Sequence, residues 1–445
     1  MAEADVRVRP YWELTFDGDG DVDGGERERL VGEVGDRGVR DLIVFAHGWN
    51  NERSDATRLY SRFFAPVPAL APRARLGYVG VIWPSVMIPD EPIPDFPRDA
   101  LLRVFPDRAG VVEGIAELLE RRPEGARPLR EFGRLVRLLV EVPPHGPQAL
   151  CAEDVPVPGG AGSDPLMLTG DTEEVCRDFA RALTGLEGVQ GLSFTPKGVW
   201  DGARELLRQA TYFAMKRRAG TVGERGLGPV LGALAQAAPE VRVHLVGHSF
   251  GGRLVSFALR GLPEGVRAVK SLTLLQGAFS HYAFADRLPG DPDTGGALGG
   301  RQHRVDGPLV CCWSRFDSAL GTLYPLASRM AGDDRSMTGG AADGAREYDT
   351  EGFDVGRLLG ARWGAMGHDG VRSVDGTRAL TLADALAGGL PSSGCVNVDA
   401  SAVVRRGGPP SGAHSDILHP ELARVVLAAG RVIRPAAGTG TADGA

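Results

Sequence analysis

Ser249 has the surroundings in this chain that most clearly prepare a side chain for chemistry. It lies in Gly247-His248-Ser249-Phe250-Gly251, after a run (Val241 to Val246) that alternates like a strand and before a run (Gly252 to Leu259) that reads as a helix. A G-x-S-x-G between strand and helix makes a turn so tight that the serine Oγ stands above the sheet, ready to attack an electrophile. A Cβ at either flanking glycine would collide with the neighbouring strand or helix. With 63 glycines in the chain, the bare pattern arises by chance about 0.4 times, so its weight rests on the flanking strand and helix.

A serine hydroxyl is a weak nucleophile and needs a base to take its proton and donors to receive the charge that develops. Asp41 to Ala46 is a short apolar run suited to a buried parallel strand, and it ends in His47-Gly48-Trp49-Asn50-Asn51. The oxyanion donors would be the backbone N–H groups of Trp49, in this loop, and of Phe250, directly after the serine. Acid and base should follow the serine in the order Asp or Glu, then His. Pro308 to Ser314 is the next buried-strand candidate, and Asp317 lies just past its end, where open α/β sheets keep their sites. Asp317 could instead cap a helix beginning near Ala319, and Asp286 is the alternative acid. Cys395 to Asp399 reads as the last strand, and the loop after it delivers His414 as the base. His419, directly before Pro420, reads as a helix cap, and His368 follows no clear strand.

With these pieces placed, the chain resembles the α/β-hydrolase superfamily, in its serine-esterase-like branch. The likeness rests on His-Gly-Trp-Asn-Asn, Gly-His-Ser-Phe-Gly-Gly, the strand-end Asp317 and Gly-Ala-His-Ser-Asp-Ile. It implies a mostly parallel eight-stranded sheet flanked by helices, with Ser249, Asp317 and His414 as the catalytic residues. It implies no particular substrate, because the fold hosts many chemistries. The expected core is residues 1–85 with 194–434. The stretch 86–193 is a mainly helical insertion that could form a lid, and 435–445 is a disordered tail of small and polar residues. Within the insertion, Phe132, Leu135, Val136, Leu139 and Val142 recur at helical spacing, Pro143-Pro144 stops that run, and Asp171 is placed to cap a further helix over Thr172 to Leu183.

Composition narrows the alternatives. The net charge of −7 and the lack of a long basic run argue against nucleic-acid binding. The acidic first residues lack the apolar centre of a signal peptide, and no run approaches the roughly 18 apolar residues of a membrane span. Five cysteines without a C-x-x-C pair suit reduced thiols in a cytoplasm and not a zinc site. Asp19 to Gly24 begins like a calcium loop. However, Leu30 stands where the bidentate Glu belongs, and Arg27 puts a cation where a cation would sit, so a tight turn between two early strands is the better reading. These observations point to a small-molecule or lipid-like acyl substrate, with no cofactor and no metal. The alternatives are an acyltransferase or peptidase with the same residues, or a catalytically silent binding protein of the same fold.

Overall fold

The computed structural model describes residues 6–48, 53–85, 98–142, 151, 154–155, 166–189, 198–289, 291–317, 364–408 and 412–433. Its strands are β1 (Tyr11–Thr15), β2 (Asp41–Ala46), β3 (Leu76–Ile82), β4 (Arg242–His248), β5 (Val269–Leu275), β6 (Pro308–Trp313), β7 (Arg378–Thr381) and β8 (Gly394–Asp399). They form one eight-stranded sheet in the order β1-β3-β2-β4-β5-β6-β8-β7. Every pairing is parallel, whereas the sequence suggested a mostly parallel sheet. β2 and β3 are buried at every position, as strands covered on both faces must be. The period of two then divides their side chains between two cores. Leu42, Val44 and Ala46 of β2 join one apolar cluster, and Ile43 and Phe45 join the other. The adjacent Cys311 and Cys312 are divided in the same way.

The principal helices are α1 (Gly24–Glu33), α2 (Arg53–Phe64), α3 (Arg98–Val104), α4 (Ala109–Arg121), α5 (Ala126–Val140), α6 (Thr172–Val189), α7 (Val199–Thr221), α8 (Gly228–Ala237), α9 (Phe250–Gly261) and α10 (Pro420–Ala429). On one face, α2 and α10 meet the sheet through Tyr60, Phe63, Phe64, Val425 and Val426. On the other face lie α1, α7, α8 and α9, and the described helices of the insertion pack against α7. The strand order fixes where a site can form. From the adjacent β2 and β4, the chain steps to β3 on one side and to β5 on the other, which opens a crevice beyond their carboxyl ends. His47 leaves β2 and Ser249 leaves β4 at that crevice.

The early Asp-rich turn joins β1 to a helix and not to a second strand. The Asp17 carboxylate accepts the N–H groups of Asp19 and Asp21, and Asp23 caps α1 by accepting the Glu26 N–H at 2.8 Å. No group of three or more metal-ligating side chains occurs among the described residues. Asp171 caps α6 through the Glu174 N–H, at 3.0 Å. Residues 435–445 and the prolines at 89, 92, 94 and 97 lie outside the described residues.

In the insertion, Phe132 and Leu139 are fully buried, and the Phe132 ring meets Trp200 of α7 edge-on at 5.9 Å. One insertion residue reaches further inward. The buried Asp154 carboxylate pairs with Lys216 of α7 at 3.1 Å and with Arg253 of α9 at 2.8 Å, and it accepts the Ser280 N–H at 3.1 Å. Burial alone would raise its pKa, but the two cations outweigh that and hold it at about 2. Asp154→Asn should therefore cost about 3–5 kcal/mol, because Lys216 and Arg253 lose the charge that offsets their burial. An acid held below its unfolded value of 3.8 contributes stability that is complete above that pH and is lost as pH falls towards 2. Urea unfolding at neutral and acid pH should show a wild-type advantage that shrinks through this window. An equal urea midpoint for the two proteins near neutrality would contradict the expectation.

Candidate active site

α9 begins one residue after Ser249, and the turn between β4 and α9 holds Ser249 at φ 55° and ψ −123°. A positive φ is uncommon for a residue other than glycine, and it persists only where the surroundings fix it. Here β5 and its loop fix it. The Ser249 N–H donates to the Leu275 carbonyl at 3.1 Å, and the Ala278 N–H donates to the Ser249 carbonyl at 3.2 Å. The turn also requires glycine on the helix side, since a Cβ on Gly251 would lie 2.0 Å from the Ala46 carbonyl oxygen. That contact brings the start of α9 down onto the end of β2.

The three side chains singled out in the sequence meet here. His414 Nε2 lies 2.9 Å from Ser249 Oγ, and His414 Nδ1 lies 2.8 Å from Asp317 Oδ2. Asp317 is fully buried, Ser249 is 3 % exposed, and the His414 side chain is 16 % exposed. An ionised Asp317 can only accept, so Nδ1 carries the proton and Nε2 is left to accept the serine hydroxyl. Two loops hold the pair in place. The Ala413 N–H donates to the Phe316 carbonyl at 2.9 Å, and the Asp416 carboxylate accepts the Arg405 and Arg406 N–H groups at 3.0 and 2.8 Å.

On the β2 side, His47 is buried. Its Nδ1–H donates to the Gly48 carbonyl at 2.8 Å, its ring stacks on Trp83, and burial lowers its pKa to about 4. Gly48 then presses against the serine, since a Cβ there would lie 2.7 Å from Ser249 Cβ. Phe250 is the first residue of α9, and its ring is buried against Tyr212. Trp49, the other expected oxyanion donor, lies outside the described residues, as does the helix expected near Ala319.

The alternatives take other roles. The exposed Asp286 accepts from the Gln302 side chain and the Asp375 N–H. The His368 Nδ1–H donates to the Asp317 backbone carbonyl at 3.3 Å. His419 is the residue before α10 and pairs with Asp416 at 2.9 Å without capping the helix through its side chain. Two partners had no signal in the spacing. His248 Nε2–H donates to the His414 carbonyl at 2.8 Å, and His368 attaches to the Asp317 backbone. The five cysteines are free and buried, and burial raises their thiols, so they are poor nucleophiles.

A second Ser-His-Asp constellation provides the contrast. His244 bonds the Ser271 hydroxyl through Nδ1 and the Asp41 carboxylate through Nε2, each at 2.9 Å. These residues lie towards the amino ends of β4, β5 and β2, where Ser271 is fully buried inside an ordinary strand. Hydrogen-bond distances alone therefore do not single out Ser249. Its strained turn and its place in the crevice do.

No family model, curated protein or solved structure matches this chain. Among the described residues, no helix is long and apolar enough to cross a membrane. One expectation tests the turn itself. Gly251→Ala must push α9 away from β2, and overpacking of this kind costs about 1–3 kcal/mol. Differential scanning calorimetry should show a melting temperature lower by several degrees, or no folded protein. An unchanged value would mean that the helix start has slack.

Proposed function

We propose that this chain is a serine hydrolase of the α/β-hydrolase kind, cleaving an ester-like acyl bond through an acyl-enzyme. One observation carries the reading: the strained Ser249 places its Oγ 2.9 Å from His414 Nε2, while Asp317 takes the opposite nitrogen at 2.8 Å. As Oγ bonds to the acyl carbon, the hydroxyl proton passes to His414 Nε2, and the carbonyl electron pair moves onto oxygen. Asp317 keeps the imidazole in the required tautomer and stabilises it as a cation. The Phe250 N–H, with that of Trp49, receives the oxyanion, each such donor being worth about 3 kcal/mol. When the tetrahedral species collapses, the C–O bond to the alcohol breaks, and the alcohol leaves with the proton from His414. Water then gives a proton to His414 and attacks the acyl-serine. The acid departs, and the proton returns to Ser249.

A fluorophosphonate probe tests the reading, with the second constellation as its control. Wild type and Ser271→Ala should be labelled, and Ser249→Ala should not. Asp317→Asn should cut turnover of a small activated ester by about 10⁴-fold, the cost of a misoriented base. Absence of labelling in wild type would favour a binding protein of this fold. Labelling that survives Ser249→Ala would place the nucleophile elsewhere.

In this reading the insertion acts as a lid. The support is Asp154, which joins the insertion to α9 and to the loop after β5, the two elements that hold Ser249. Phe132 and Leu139 are already buried against protein, so an acyl chain would have to meet other residues of the segment. Replacing residues 86–193 with a short Gly-Ser linker, with Lys216 and Arg253 both changed to Met so that neither cation stays buried without Asp154, should flatten the preference between short and long acyl esters, each buried methylene being worth about 0.8 kcal/mol. An unchanged rate ratio in a folded deletion would remove the lid, and failure to fold would make the segment part of the core.

A further inference from the structure

We propose that His248 is a positioning residue for His414, a role that rests on the serine-hydrolase reading. His248 ends β4 and directly precedes Ser249. Its Nε2–H donates to the backbone carbonyl of His414 at 2.8 Å, and the two rings lie 5.1 Å apart, tilted by 40°. The loop carrying His414 is tied on its other side to the end of β6, through Ala413 N–H to the Phe316 carbonyl at 2.9 Å. That bond sets the loop relative to Asp317. The bond from His248 sets it relative to the strand that delivers Ser249.

The alternative is a space-filling core histidine, and the other ring nitrogen argues against it. Donating through Nε2 in the neutral form leaves Nδ1 bare. Nδ1 is buried with no partner among the described residues, near Gly48, where a Cβ would lie 3.0 Å from it. A bare buried nitrogen costs stability that an apolar side chain of similar size would not. The position thus carries a cost in exchange for one directed donor. Burial, reinforced by the neighbouring His414, lowers the His248 pKa to about 3, so it stays a neutral donor while His414 gains and loses its proton.

His248→Gln, His248→Leu and His248→Asn separate the two roles. The glutamine amide nitrogen lies as many bonds from Cβ as Nε2 does and can keep the donor. Leucine removes it, and asparagine falls short. A misplacement of about 1 Å costs on the order of 10²-fold in rate. The Leu and Asn proteins should therefore lose about that much in kcat at little-changed KM, with Gln close to wild type. Proton NMR gives a second readout that needs no turnover: the downfield Nδ1 proton between His414 and Asp317 should persist in wild type and Gln and broaden away in Leu and Asn. Equal kcat in the Leu and wild-type proteins, or an unchanged NMR signal in Leu and Asn, would overturn the role of His248. If Leu does not fold, the comparison of Gln with Asn decides. A wild type that no fluorophosphonate labels would overturn the hydrolase reading, and the NMR comparison would still test His248.

Discussion

The approach of α9 to the end of β2 is the contact on which the candidate site depends. Gly251 lies so close to the Ala46 and His47 carbonyls that no side chain fits between them. That closeness lets the chain reverse within one residue after β4, and the reversal places Ser249 at positive φ. β2 and β4 are hydrogen-bonded neighbours along their length and lie where the strand order diverges, so the loops leaving both strands face one crevice. His414 and Asp317 arrive on later loops and are held against a turn that the glycine contact has already set.

Electrostatics divides the histidines by their partners. Burial keeps His47, His244 and His248 neutral, and each is fixed by hydrogen bonds to backbone or to buried side chains. His414 has a buried carboxylate on one nitrogen and a hydroxyl on the other, and it keeps some contact with solvent. The same principle governs the insertion, where Asp154 lies in full burial only because Lys216 and Arg253 meet it there. Burying any one of these charges without its partners would be costly.

Much of the sheet was legible because a buried parallel strand must be apolar throughout. The runs at Asp41 to Ala46, Pro308 to Ser314 and Cys395 to Asp399 each correspond to an observed strand within one residue at either end. β7 escaped notice because it is an edge strand of four residues, three of them exposed, and so carries no apolar run. Helix α6 runs six residues past the expected Leu183, since Gly185 and Gly188 did not stop it. The Asp-rich turn was misread as joining two strands because a turn's own residues do not specify whether a helix or a strand comes next. Only the packing of Leu30 into the core reveals the helix there.

The sequence by itself determined the turn around Ser249, the order in which acid and base succeed it, and the strands that end beside them. These are local matters of steric fit and apolar periodicity. It gave no sign of the second Ser-His-Asp set, whose histidine lies 27 positions from its serine and 203 from its aspartate. Tertiary structure decided where each set lies in the sheet. In the Ser271, His244 and Asp41 set, Ser271 and His244 are fully buried within strands, towards the amino ends of the sheet. Ser249, His414 and Asp317 meet beyond the carboxyl ends, where the diverging strand order leaves a crevice.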